Sequence, residues 1–325
     1  MAENRTDYRL GSLYALVTAA LYAVQEPFSF LAASRLNTLQ FVCLTQIALA
    51  ISIPFLTLNP ASRRSFVALL GDRSNYAKLA VIFAIGMSGL LLYNLGLSNA
   101  HPIIVSAILN LLPFWAALVA LIIARVPIPV SPRVFFLCFA GAFLGAMAVA
   151  WSQLGDKPMG GLAESFLAGT WVYALPVPVC TALGGTLIGK WFADYEESAA
   201  IAANFLFANV LLIPGSIFIL YLRSEIDLSQ PLAIFLMVVG TIIAASVGRV
   251  FYQVALTVTG GDNGFVAMFL NLVPALTAII SLVMSWWIAD LHFITDPAFF
   301  AGLALIAAAL AQFSLKSWRE PAGRG

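Results

Sequence analysis

The chain has 325 residues, of which 62% are hydrophobic and 10% charged, with a net charge of +1. Ordinary globular chains carry about 25% charged residues, so this composition excludes a soluble domain. The near-neutral balance gives no argument for a nucleic acid or an acidic partner.

A membrane-spanning helix needs about 20 mostly apolar residues. Ten stretches meet that length: roughly 10–32, 39–58, 77–98, 102–124, 133–153, 166–190, 198–222, 231–257, 264–287 and 298–316. The expected fold is therefore an all-α integral membrane protein of ten transmembrane helices. The nine polar residues ahead of the first stretch are followed by no small-residue cleavage site, so that stretch is expected to be retained as a helix. The longer connections, 59–76 and 154–165, carry Pro, Gly and charges and read as loops. Cys43, Cys138 and Cys180 fall in apolar stretches and read as small hydrophobes, with neither disulfide nor metal spacing. No metal or cofactor is expected.

The halves of the chain repeat. Leu109-Asn110-Leu111-Leu112-Pro113 in the fourth span returns as Leu270-Asn271-Leu272-Val273-Pro274 in the ninth. Pro54 matches Pro214. Gly89, Tyr93 and Leu97 match Gly248, Tyr252 and Leu256, and Phe139-Ala140-Gly141 matches Phe300-Ala301-Gly302. Proline removes a backbone donor and clashes with the carbonyl four residues back. Within lipid such a break is tolerated where protein or a wet cavity re-satisfies the freed groups. Breaks at corresponding places in two halves point to a transporter's binding site; the competing reading is a packing kink capped by its own Asn. Because each repeat has five spans, the second copy enters the membrane inverted. The expected division is a first repeat at 1–153, an extracytoplasmic linker at 154–165 and a second repeat at 166–325. With the N-terminus on one side, twelve basic residues fall on that side and three on the other, which makes the basic side cytoplasmic and places both termini there.

These features together, and the paired breaks above all, resemble the drug/metabolite transporter superfamily of the EamA type over nearly the whole chain. Within it the sequence is most similar to bacterial aromatic amino acid exporters of the YddG type. The resemblance implies a multi-pass protein of the bacterial inner membrane with a central cavity lined by the first, third, fourth, sixth, eighth and ninth spans, the others lying further out. Many members end the fourth and ninth spans with an acidic residue. Here the ends read Ala124-Arg125 and Ile288-Ala289-Asp290, so no role of that acid is carried to the fourth span.

Two charges stand well inside spans, where insertion costs about 2.5–3.5 kcal/mol each. Glu26, between Gln25 and Pro27, reads as a cavity carboxylate for an ammonium or a proton; the alternative is a structural group capping the Pro27 kink. Arg249 reads as a fork for a substrate carboxylate; the alternatives are a cytoplasmic gate bond or a snorkelling side chain. Their backbones are expected to differ in depth by on the order of 10 Å, which argues against a direct pair. Tyr22 shares a face with Glu26. Tyr93 and Asn94 hold the repeat positions of Tyr252 and Gln253, and Tyr252 shares a face with Arg249. Trp115, Trp171 and Tyr173 are further aromatic candidates for a substrate surface, against an interfacial belt as the ordinary account of tryptophans near span ends. Asn110 and Asn271 complete the candidate set, with Pro27, Pro113, Pro176 and Pro274 as helix breaks. Gln46, Asn204 and Asn209 fall on spans placed outside the cavity and read as interhelical hydrogen bonds. Gly141-x-x-x-Gly145 and Gly185-x-x-x-Gly189 read as close-packing motifs, not as a dimer signal; a monomer in the bilayer is the expectation. Gly184 to Lys190 imitates a phosphate-binding loop but is followed by Trp191 and lacks a preceding strand. His101 and His292 are far apart in sequence and form no constellation.

The function expected is secondary transport: export of small metabolites, above all aromatic and other neutral amino acids, by alternating access. Export of hydrophobic drugs or import of another metabolite is the alternative within transport. An intramembrane enzyme or a channel are the alternatives outside it.

Overall fold

A backbone in hydrocarbon has no water to bond, so its polar groups must be satisfied within the chain, and helices do this locally. The computed structural model describes residues 7–98, 102–128, 130–153, 170–259, 266, 269–270, 272–292 and 294–319. The expected linker at 154–165, Asn271 and the Trp171 side chain lie outside that set. Eight helical stretches are long and apolar enough to cross a membrane, and Val273–Ser285 and Pro297–Phe313 are shorter apolar helices. The protein is all-helical among the described residues and of the multi-pass membrane class.

Helix α1 spans Tyr8–Ala33, started by the Asp7 carboxylate, which accepts from the amides of Arg9 and Leu10 at 3.0 Å. Helix α2 spans Thr38–Leu56, capped by Asn37. Then α3 spans Pro60–Gly71 and α4 Asn75–Leu97. The fourth expected span is α5, Pro102–Leu109, followed by α6, Leu112–Val119, which runs into a π turn at Ala120–Ala124. Helix α7 is Pro132–Ser152. A 3₁₀ turn at Thr170–Ala174 precedes α8, Val177–Trp191, and α9 is Glu197–Arg223. Helix α10, Pro231–Ile242, passes through a π turn at Ile243–Gly248 into α11, Arg249–Val258. Helices α12, Val273–Ser285, and α13, Pro297–Arg319, complete the chain.

Two expectations are corrected here. The connection at 59–76 is not a plain loop: Pro60 at the first turn and the Asn59 cap start α3. Leu69 of α3 is packed with Leu79, Ile82, Leu187 and Phe192, and Ser62 meets Ser198 Oγ at 2.8 Å. Also, Pro27 does not break its helix, since α1 runs through it. The carbonyl that Pro27 leaves without its donor belongs to Ala23, and the buried Thr277 hydroxyl of α12 donates to it at 3.4 Å.

The α7–α13 pair is the most extensive helix contact. Its closeness rests on glycines: a methyl at Gly145 would stand 2.6 Å from the Gly302 carbonyl oxygen, and one at Gly302 2.7 Å from that of Gly145. Around this seam Phe114, Phe135 and Phe313 interlock with ring centroids 4.8 to 6.0 Å apart. Substituting Gly145→Ala should therefore force the pair apart and destabilise the protein by about 1–3 kcal/mol, whereas Gly86→Ala, where a methyl meets nothing within 4 Å, should not; thermal unfolding in detergent measures both.

Candidate functional site

The bundle encloses a cavity of about 550 Å³, lined from both halves of the chain by α1, α2, α4, the α5–α6 break, α8, α9 and the α10–α11 helix. At its far end, away from the basic side, an apolar cluster closes it. Phe30, Leu31 and Leu36 from the end of α1 meet Phe41 of α2, Leu97 of α4, Ile104 and Ile108 of α5, and Met237 of α10. Outside that seal Arg35 pairs with Asp290 at 2.5 Å, and Gln40 exchanges hydrogen bonds with the Asp227 backbone at 2.6 and 3.2 Å. Toward the basic side lies a second pocket of about 710 Å³, which shares Leu112, Gly185, Ile201 and Arg249 with the cavity and extends to Tyr195 and Glu197.

Glycine shapes this space as well as the seam. Methyls added at Gly86, Gly184 or Gly185 would meet nothing within 4 Å, and all three line the cavity. Gly185-x-x-x-Gly189 is thus not the close-packing motif the spacing predicts, because Gly189 too faces open space. Gly89 and Gly248 do mark close approaches, to Cys180 and to the Tyr22 ring.

Glu26 lines the cavity and is only 8% exposed. Tyr93 donates to its Oε2 at 2.8 Å. Arg249 pairs with Glu197 at the start of α9, and its Cζ lies 5.2 Å from the Tyr252 ring centroid. Its Nε is buried with no hydrogen-bond partner. The two span charges therefore have separate partners, as their difference in depth requires. Tyr22 lies between them, lining the cavity and packing on Gly248. Gln253 reaches Glu197 at 3.5 Å.

Other candidates lie elsewhere. The Asn110 amide donates to the Ser106 carbonyl at 2.7 Å; it caps the kink ahead of Pro113, while Leu109 and Leu112 on either side line the cavity. Trp115 packs edge-on against Phe139 at 5.7 Å, in the cluster around α7. Asn94 is buried outside the lining, and Tyr173 is 48% exposed. Asn271 lies outside the described residues. Pro176 and Pro178 open α8, and Pro178 reaches the cavity; Pro113 and Pro274 sit in the first turns of α6 and α12. The seventh span, implied to lie outside, contributes Asn204 to the lining, and the second contributes Thr45. No described residue of the ninth span lines it. Asn204 and Glu197 escaped sequence reasoning because an amide on an outer span and an acid at a helix start both have ordinary explanations.

Fold and site together define a multi-pass helical membrane protein with an internal, one-side-open cavity. No protein-family model matches the chain and no curated protein matches it. Among solved structures, one crystal structure shares the fold with a TM-score of 0.56 and 17% sequence identity, covering 95% of this chain and 99% of that one.

Tyr93→Phe removes the donor to a buried carboxylate and should cost about 1–3 kcal/mol, read as a lowered melting temperature. Gly185→Leu should leave the melting temperature within a few degrees while filling the cavity, read as lost ligand binding.

Proposed function

We propose that this chain is a secondary transporter of the drug/metabolite superfamily, EamA type, that exports aromatic and other neutral amino acids. Ten spans in two inverted five-helix repeats, both termini cytoplasmic, would place it in a bacterial inner membrane and make the second pocket, on the basic side, the cytoplasmic entrance. The single observation that carries the reading is the mid-bundle cavity. It is built from both halves, sealed by apolar side chains at one end, open at the other, and carries one carboxylate and one guanidinium on separate partners. Its volume falls within the range of about 300–1,000 Å³ usual for small-molecule sites. The lining is mostly apolar, which suits an aromatic or aliphatic side chain, and Glu26 and Arg249 add one carboxylate and one guanidinium to it. Sequence halves that repeat, with breaks at matching places, support rocking of one half against the other about this site.

Export of purely cationic hydrophobic drugs is the second reading. Arg249 favours a solute that carries a carboxylate over one that carries only a cation.

The test is counterflow of radiolabelled phenylalanine into liposomes preloaded with unlabelled phenylalanine. Saturable uptake is expected, reduced at least about tenfold in Arg249→Ala, the loss of one charged hydrogen-bonded contact. Absence of exchange with every neutral amino acid tried would end the assignment.

A further inference from the structure

Arg249 belongs to the lining of both the cavity and the second pocket. Its side chain is 23% exposed, so it is open to a solute there. Its partner Glu197 lines the second pocket alone and is 53% exposed. The contact is one hydrogen bond, donated by Arg249 Nη2 to Glu197 Oε1. The other carboxylate oxygen accepts from Gln253 Nε2 at 3.5 Å. The pair therefore lacks the two-pronged fork in which a guanidinium holds a carboxylate most strongly.

The two members of the pair are unequal. Glu197 does not depend on Arg249 for its place. On one side of it the Glu196 amide donates to Ser65 Oγ at 2.9 Å, and on the other Ser198 Oγ meets Ser62 Oγ at 2.8 Å, so α3 pins the start of α9 on both flanks. Glu197 is also the first residue of α9, where the helix dipole favours an acid, and its exposed carboxylate keeps its water. Arg249 has no such resource, because a guanidinium within a span is costly without a partner. Arg249 needs a carboxylate; Glu197 does not need Arg249.

We infer that Glu197 is a surrogate carboxylate, which holds the Arg249 guanidinium while the cavity is empty and is displaced by the carboxylate of the solute, making Glu197 a specificity-determining residue. One carboxylate leaves as another arrives, so the guanidinium is never bare. The incoming group gains the fork that Glu197 does not make, and Glu197 gives up an exposed pair, which costs it little. A solute without a carboxylate has nothing to exchange and finds the pair closed. Displacement also frees α11 from the start of α9, so recognition of the carboxylate is coupled to a helix contact. This rests on the transport reading for the site's purpose, but concerns binding of a carboxylate, which is measured without flux.

The experiment is isothermal titration of the detergent-solubilised full chain with 3-phenylpropionate, which has the carboxylate alone, and with phenethylamine, which has the ammonium alone. Glu197→Gln removes the competing charge and keeps the shape. It should tighten 3-phenylpropionate about threefold to fivefold while changing phenethylamine by less than about twofold. Glu197→Asp, which keeps the charge but shortens the arm, should tighten 3-phenylpropionate by a smaller factor, so a Gln variant that fails to fold does not decide the matter. Glu196→Gln removes the same charge one residue away, from a side chain that does not touch Arg249, and should leave both affinities unchanged. Unchanged or weaker 3-phenylpropionate binding in the Glu197 variants, equal tightening in Glu196→Gln, or no 3-phenylpropionate binding by either the wild-type protein or Glu197→Gln would each overturn the surrogate. The counterflow of phenylalanine would stand or fall separately.

Discussion

A carbonyl or amide released inside a hydrocarbon layer has no solvent to fall back on, and this constraint shapes the bundle at Pro27 and at the break in the fourth span. Where Pro27 strips Ala23 of its donor, Thr277 from α12 supplies one, and Ser106 of α5 stands 3.5 Å from that same hydroxyl. Three helices are joined at one defect. Where the fourth span breaks, Asn110 turns back onto the Ser106 carbonyl. The cost of a proline at depth is thus offset by contacts that also fix how α1, α5 and α12 sit together.

Small residues do two opposite jobs under the same constraint. At Gly145 and Gly302 the missing side chain lets backbones touch, and the aromatic cluster around α7 and α13 closes over the seam. At Gly86, Gly184 and Gly185 the missing side chain leaves volume. A tight outer pair and a roomy centre follow from one residue type, and only the opposite helix decides which. Lipid gives no hydrophobic drive between helices, so the α7–α13 seam relies on contact itself.

Much of the architecture is legible in the sequence. Apolar length finds eight helices long enough to cross a membrane where ten were expected, and the isolated charges Glu26 and Arg249 do lie in one cavity. The remainder fails for physical reasons. Helix α3 was hidden because an amphipathic surface helix lacks an apolar run. Asn110 was ambiguous because an amide beside a proline serves a kink as well as a ligand, and the hydrogen bond to Ser106 shows the first of these. Spacing cannot distinguish a glycine that packs from one that opens space, as Gly185 illustrates. Asn204 and Glu197 gain their meaning only from what lies across the bundle from them.

The π turn at Ile243–Gly248 has an angular consequence. Successive residues of an α-helix advance by about 100°, so an uninterrupted helix would set Thr241 and Arg249 about 80° apart around its axis. A π turn lodges one residue more than an α turn, and this surplus winds the offset back to about 20°. Both side chains then look into the same chamber. A single additional residue in mid-helix acts as a phase shifter, aligning two polar groups that a regular spiral would have pointed at different neighbours.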